Sequence, residues 1–113
     1  MENKELILPI RRNEYLKIEL NEVKYLEVER DYTTFITDRE KDIIVCKSLS
    51  KILAIIDSEC FVRISRNIVV NSNKIKKVYL GKDAKVILQD GTEIIPSFRY
   101  KKNLKAKCLS TKI

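Results

Sequence analysis

The stretch Phe61-Val62-Arg63-Ile64-Ser65-Arg66-Asn67-Ile68-Val69-Val70-Asn71 decides how this chain is read. Two arginines and two asparagines stand between hydrophobic runs, closer together than a random solvated face would place them. Arg66 and Asn67 fall at a strand-to-strand turn, which sets a guanidinium fork beside an amide. Those groups bond guanine and adenine edges, and they bond phosphate as well. A purely structural reading competes. In it Asn67 and Asn71 satisfy turn backbone groups and Arg63 pairs with an N-terminal acid. It competes most for Arg63 and Asn71 and least for Arg66.

Outward from this segment the chain reads as strands. Leu6-Ile7-Leu8 is a short run ended by Pro9, which suits an edge or linker strand within residues 1–14. Leu16, Ile18 and Leu20 alternate with polar residues at the period of a half-buried strand, and Leu26 and Val28 do the same. Arg30-Asp31 is a polar break. The run Tyr32-Thr33-Thr34-Phe35-Ile36-Thr37 is almost wholly β-branched or aromatic and favours strand. Leu49, Ile52, Leu53 and Ile56 form one apolar helical stripe behind Ser48 as N-cap. Downstream, Asp90-Gly91 is a hairpin signal. Residues 98–109, rich in Lys, Leu and Ala, favour a C-terminal helix, for which Ser97 is a cap candidate. The expectation is a mainly β domain with two short helices.

The chain has 113 residues, enough for one domain spanning 1–113, with 44% hydrophobic and 35% charged side chains. No apolar run approaches the roughly 18 residues of a membrane span, and the start Met1-Glu2-Asn3-Lys4-Glu5 does not resemble a signal peptide. The expected setting is cytoplasmic. With no histidine, imidazole-activated nucleophiles and His-bearing zinc sites are excluded. Cys46, Cys60 and Cys108 are too scattered for a metal site. Cys46 and Cys60 read as small core fillers, and Cys108 as a tail thiol. No metal, cofactor or enzymatic role is expected.

Charge is unevenly placed. Residues 1–62 carry 10 basic and 13 acidic side chains, whereas residues 63–113 carry 13 basic and 3 acidic. Such asymmetry points to a polyanionic partner. Charge alone ranks nucleic acid first, a merely solubilising surface against it, and an anionic membrane third.

The segment from Phe61 to Asn71 resembles the LytTR DNA-binding domain of bacterial transcription regulators. Phe61, Arg63, Arg66, Val70 and Asn71 match that pattern, while Ser65 replaces its His and Asn67 its Ser. Val23-Lys24-Tyr25-Leu26-Glu27, Tyr32-Thr33, Ser48-Leu49, Lys74-Ile75, Asp90-Gly91 and Pro96-Ser97-Phe98-Arg99-Tyr100 match in order, covering residues 15–109. The resemblance implies an elongated arrangement of about ten short strands in small antiparallel sheets laid end to end. It implies that loops, not a recognition helix, enter the major groove of double-stranded DNA. By motif position, Thr33, Arg66, Asn67 and Arg99 would read bases. Tyr32, Arg63, Ser65, Tyr100, Lys101, Lys102 and Lys105 would make the other or phosphate contacts, with Lys74, Lys76 and Lys77 weaker phosphate candidates. Tyr32 reads equally well as a core aromatic. Tandem direct repeats, with a second copy on the adjacent half-site, are implied too. Since receiver domains often precede this family, the chain is either a stand-alone regulator or the DNA-binding half of a longer one. Two other functions compete: a non-specific or RNA-binding β domain, disfavoured because most of the eight aromatics lie in strand-core patterns, and a basic protein-interaction module.

Overall fold

The computed structural model describes residues 4–39, 41–56 and 59–110. The chain divides into two compact units, Met1–Ser58 and Glu59–Ile113. The described residues form ten strands and two α-helices, with all the strand pairings below antiparallel. This is the expected mainly β fold.

In the first unit, β1 (Glu5–Arg11) and β2 (Glu14–Glu19) make a two-stranded hairpin. Leu6 faces Ile18 and Leu8 faces Leu16 across it. Pro9 lies inside β1, tolerated because a two-stranded ribbon leaves outer backbone groups unpaired; the register shifts between Pro9 and Arg11. A 3-10 turn, Leu20–Glu22, leads to β3 (Val23–Glu29), β4 (Tyr32–Thr37) and β5 (Ile43–Val45), with β4 paired to both of the others. Val23, Leu26, Phe35 and Val45 are fully buried. Burying a side chain the size of Phe35 contributes about 1.5–3 kcal/mol.

Helix α1 (Leu49–Ile56) buries Leu49, Ile52 and Ile56, with Leu53 half-buried. Ser48 caps it: its hydroxyl accepts from Lys51 N–H at 3.4 Å and its carbonyl from Ile52 N–H at 3.1 Å. Cys46 is exposed, which corrects its reading as a core filler. The reason is parity: Ile43 and Val45 point inward, so the next alternate positions point out.

In the second unit, β6 (Phe61–Ser65) and β7 (Ile68–Asn71) form a hairpin whose inner positions are Val62, Ile64, Val69 and Val70. The Asn71 side chain accepts from Asn73 N–H at 3.0 Å and opens a 3-10 turn, Ser72–Lys74, the structural role weighed for it. Strands β8 (Ile75–Tyr79), β9 (Lys85–Leu88) and β10 (Glu93–Ile94) form a three-stranded sheet in the order β10-β9-β8. Asp90-Gly91 makes the β9–β10 turn. Gly91 takes φ +93°, and the Asp90 carboxylate accepts from Thr92 N–H at 2.9 Å.

A 3-10 turn, Phe98–Tyr100, precedes α2 (Lys101–Ser110), whose only buried residue is Leu104. So polar a helix is fixed by more than apolar packing. Asn103 Nδ2 donates to the Arg63 carbonyl at 3.0 Å, and Lys107 Nζ to the Glu59 carbonyl at 2.8 Å.

Candidate nucleic-acid interface

The β6–β7 turn is built from its own residues. The register shifts between Arg63 and Ser65, and Arg66 and Asn67 stand exposed at the tip. Ser65 is 8% exposed; its hydroxyl donates to Asn67 Oδ1 at 2.8 Å and accepts from Asn67 N–H at 3.3 Å. Ser65 therefore holds the turn closed instead of reaching outward, which sets it apart from the expected contact residues. The Asn67 side chain serves the turn through the Ser65 hydroxyl and not through a backbone group, and its Nδ2 is left as an exposed donor pair.

Among the described residues Arg63 pairs with no acid. Its Nε donates to the Ser65 carbonyl at 3.2 Å and its Nη2 to the Arg66 carbonyl, while its guanidinium lies 5.4 Å from the Tyr100 ring centroid. Three contacts therefore fix one planar fork between the turn and the segment ahead of α2. That segment is tied to β6 again by Ser97 N–H, which donates to the Ile64 carbonyl at 2.9 Å. The Arg66 turn and the Arg99 turn are thus braced through shared partners. The Arg66 and Arg99 guanidiniums are exposed and make no hydrogen bond or ion pair among the described residues.

The start of α2 adds cations where a helix tolerates them least. Its first turn holds no acid, and Lys101 and Lys102 follow Arg99 with only Tyr100 between. The positive end of the helix dipole disfavours such charges by about 0.3–1 kcal/mol each, so an anion there would be stabilised twice over. Lys102 and Lys105 are exposed and unpaired among the described residues. Lys101 Nζ is partly engaged, 3.4 Å from the Gly81 carbonyl and 5.5 Å from the Phe98 ring centroid.

The first unit carries the remaining candidates. Thr33 is fully buried and its hydroxyl donates to the Lys47 carbonyl at 3.0 Å, so it is not a surface reader. Parity explains this correction: Thr33 shares its face with Phe35 and Thr37. Tyr32 is half-buried, neither a core residue nor a free one. Its hydroxyl donates to Glu29 Oε2 at 3.0 Å, and that hydrogen bond raises the phenol above its ordinary pKa. Glu29 and Tyr32 pair across β3 and β4, so the hairpin tip is Arg30-Asp31. Arg30 is exposed, in the left-handed region at φ +49°. Sequence reasoning passed over it as a polar break, although a two-residue turn between alternating strands places its side chain at the tip.

Phe98 is 87% exposed, and Tyr15 and Tyr79 are exposed too, which corrects the reading that most of the eight aromatics lie in strand-core patterns. Ser97 does not cap α2: the turn Phe98–Tyr100 separates them, and its buried Oγ has no hydrogen-bond partner among the described residues. No group of three or more potential metal ligands and no helix long and apolar enough to cross a membrane occurs among the described residues.

No curated protein matches the sequence. Among solved structures, the chain is similar to the LytTr DNA-binding domain of a Bacillus cereus protein described as a methyl-accepting/DNA response regulator. The TM-score is 0.72 at 17% identity, over 96% of this chain and 97% of that one, which is a likeness of fold. The family model of the LytTr DNA-binding domain matches residues 13–108. With nearly its whole length matched and the ten-stranded architecture in place, the chain belongs to the LytTr DNA-binding domain family.

Proposed function

We propose that this chain is a sequence-specific reader of double-stranded DNA in transcription control, acting in the cytoplasm with loop residues presented to the major groove. The observation that carries this reading is the bracing of Arg63. It fixes the backbone of a turn whose two exposed side chains, Arg66 and Asn67, have the donor geometry for base edges. Arg66 and Arg99 supply guanidinium forks and Asn67 its Nδ2 donors. Arg30 takes the place first given to Thr33 at the tip of the β3–β4 hairpin. Lys102, Lys105 and, after exchanging its carbonyl partner, Lys101 neutralise phosphates. Arg63, Tyr100 and Ser65 position the readers, and Tyr32 orders its own turn. Two copies on tandem direct repeats would multiply this small footprint into a usable affinity.

Selection from a random duplex pool, followed by salt titration on the recovered site, tests the reading. A motif should emerge, and Arg66→Ala should weaken binding by about 1–3 kcal/mol and relax preference at one position. Lys102→Ala should weaken all duplexes alike and reduce the salt slope by roughly one. Wild-type binding by Arg66→Ala would remove Arg66 from the readers.

One observation favours a second reading, in which the chain binds single strands or RNA by stacking. The Phe98 ring is 87% exposed beside a lysine ammonium, the arrangement of a base-stacking platform. Single-stranded competitor in the same titration separates the two. If it displaces duplex at equal concentration and Phe98→Ala abolishes that, stacking moves to the front.

A further inference from the structure

The outward face of the β8–β9–β10 sheet lies outside the Arg66, Arg99 and Arg30 turns, and although Lys76 and Lys77 stood only as weaker phosphate candidates, it is strongly cationic. Its inner side is taken up by Val86, Leu88 and Ile94. Tyr79 pairs directly with Lys85 across the sheet, and Lys77 precedes it by two residues on the same strand. The two ammonium groups converge on one ring, Lys77 Nζ at 4.7 Å and Lys85 Nζ at 5.5 Å from its centroid. A register shift between Ile75 and Lys77 leaves Lys76 and Lys77 both exposed. The one opposing charge across the strands is Glu93, whose Oε1 lies 3.6 Å from Lys85 Nζ. Asp83 sits at the β8–β9 turn beside Lys82, so this end of the sheet keeps an excess of lysine.

This face is continuous with the candidate interface. The β8–β9 turn meets the start of α2 through Lys101 Nζ, which bonds the Gly81 carbonyl at 3.4 Å. Positive charge therefore extends from Arg99, Lys101 and Lys102 past Lys82 to Lys77 and Lys85, which flank the Tyr79 ring. Two like charges held against one ring repel each other in the free protein, and a phosphate oxygen between them removes that repulsion. The Tyr79 hydroxyl supplies a neutral donor to the same anion.

The geometry points to a second phosphate-binding surface, formed by Lys77, Tyr79 and Lys85, that holds the backbone of duplex DNA flanking the recognised motif. It rests on the DNA-binding reading and extends it. The base-reading turns set which site is bound, while this face sets how much of the neighbouring duplex is needed for full affinity. The occupant is DNA backbone because the face offers cations and a phenol and is continuous with the readers.

Fluorescence anisotropy on two duplexes tests this. Both carry the motif recovered by selection; one is trimmed to it and the other extended by about ten unrelated base pairs, roughly one helical turn, on each side. Wild-type protein should bind the extended duplex about tenfold more tightly at low salt. The double variant K77A/K85A should lose that gain and reduce the salt slope on the extended duplex by roughly two, while binding the trimmed duplex as wild type does. Its unchanged affinity for the trimmed duplex certifies its fold. The wild-type comparison needs no variant at all. A wild type indifferent to the flanks overturns the proposal, as does a double variant that keeps the gain. Equal loss on both duplexes would place the lysines within motif binding and also overturn it, and so would competition by polyglutamate at this face without any effect of the flanks. Failure of the motif-reading function is distinguishable, because the trimmed duplex would then bind no better than random DNA.

Discussion

Arg63 donates from Nη2 to the main-chain carbonyl of Arg66, so one arginine shapes the backbone that presents another. Its Nε on the Ser65 carbonyl and its stacking on Tyr100 complete the brace. Arg63→Ala should cost about 1.5–3 kcal/mol of stability, the range for hydrogen bonds to a charged group, and lower motif affinity about tenfold without moving the preferred sequence. Arg63→Lys should recover only part of either, since an ammonium cannot serve two carbonyls and a ring as a planar fork does. Urea denaturation and repeat selection measure both. A changed preferred sequence would make Arg63 a reader instead of a brace.

Thr33 is the opposite case, a polar residue whose work is internal. Its buried hydroxyl joins β4 to the Lys47 carbonyl. Thr33→Val keeps the shape and removes the bond, so it should destabilise by about 0.5–1.5 kcal/mol and leave the selected DNA motif unchanged. Loss of a base preference with wild-type stability would restore it as a contact.

The contrast between these residues shows what was legible in advance. Alternation along residues 16–20 and 26–28 and the Asp90-Gly91 signal gave strands and a hairpin that the structure contains, because period and turn chemistry are local. Parity along β4 is what the expectation for Thr33 left out: Phe35 demands burial, and its alternation carries Thr33 and Thr37 inward with it. Cys46 is a second such case, since alternation beyond Ile43 and Val45 of β5 turns it outward against its expected place in the core. What no local pattern carried was the partner of Arg63. Its three contacts come from the turn it supports and from a residue 37 positions later, Tyr100, which only the folded chain brings alongside. Arg66 and Asn67 were visible as a polar pair between strands, but their rigidity was not.

Ser97 offers a test in which the sign decides. It has the composition of a helix cap, and an ordinary cap would lose about 1 kcal/mol on mutation to alanine. Here its Oγ is buried without a partner and the turn Phe98–Tyr100 separates it from α2. Ser97→Ala should therefore leave thermal stability unchanged or raise it by about 1 kcal/mol, since it removes a desolvated hydroxyl and no bond. A clear loss of stability would mean that the hydroxyl is satisfied in solution.

The two tyrosines at the ends of the charge asymmetry should titrate apart. Tyr32 donates to a carboxylate, and the hydrogen bond to Glu29 raises its phenol above the ordinary tyrosine pKa. Tyr79 stands against two lysines, and Lys77, by hydrogen bonding to the phenolate and then by charge, lowers it below that value. Each sign follows from which form the neighbour favours: the carboxylate holds the proton on, and the ammonium stabilises its loss. In an ultraviolet titration of phenolate absorbance, Tyr79→Phe should remove an early-ionising component, and Tyr32→Phe a late one. Lys77→Ala should move the early component up toward the ordinary value while leaving the late one in place. An early component that survives Tyr79→Phe would belong to another phenol, and the pairing of Lys77 with Tyr79 would not persist in solution.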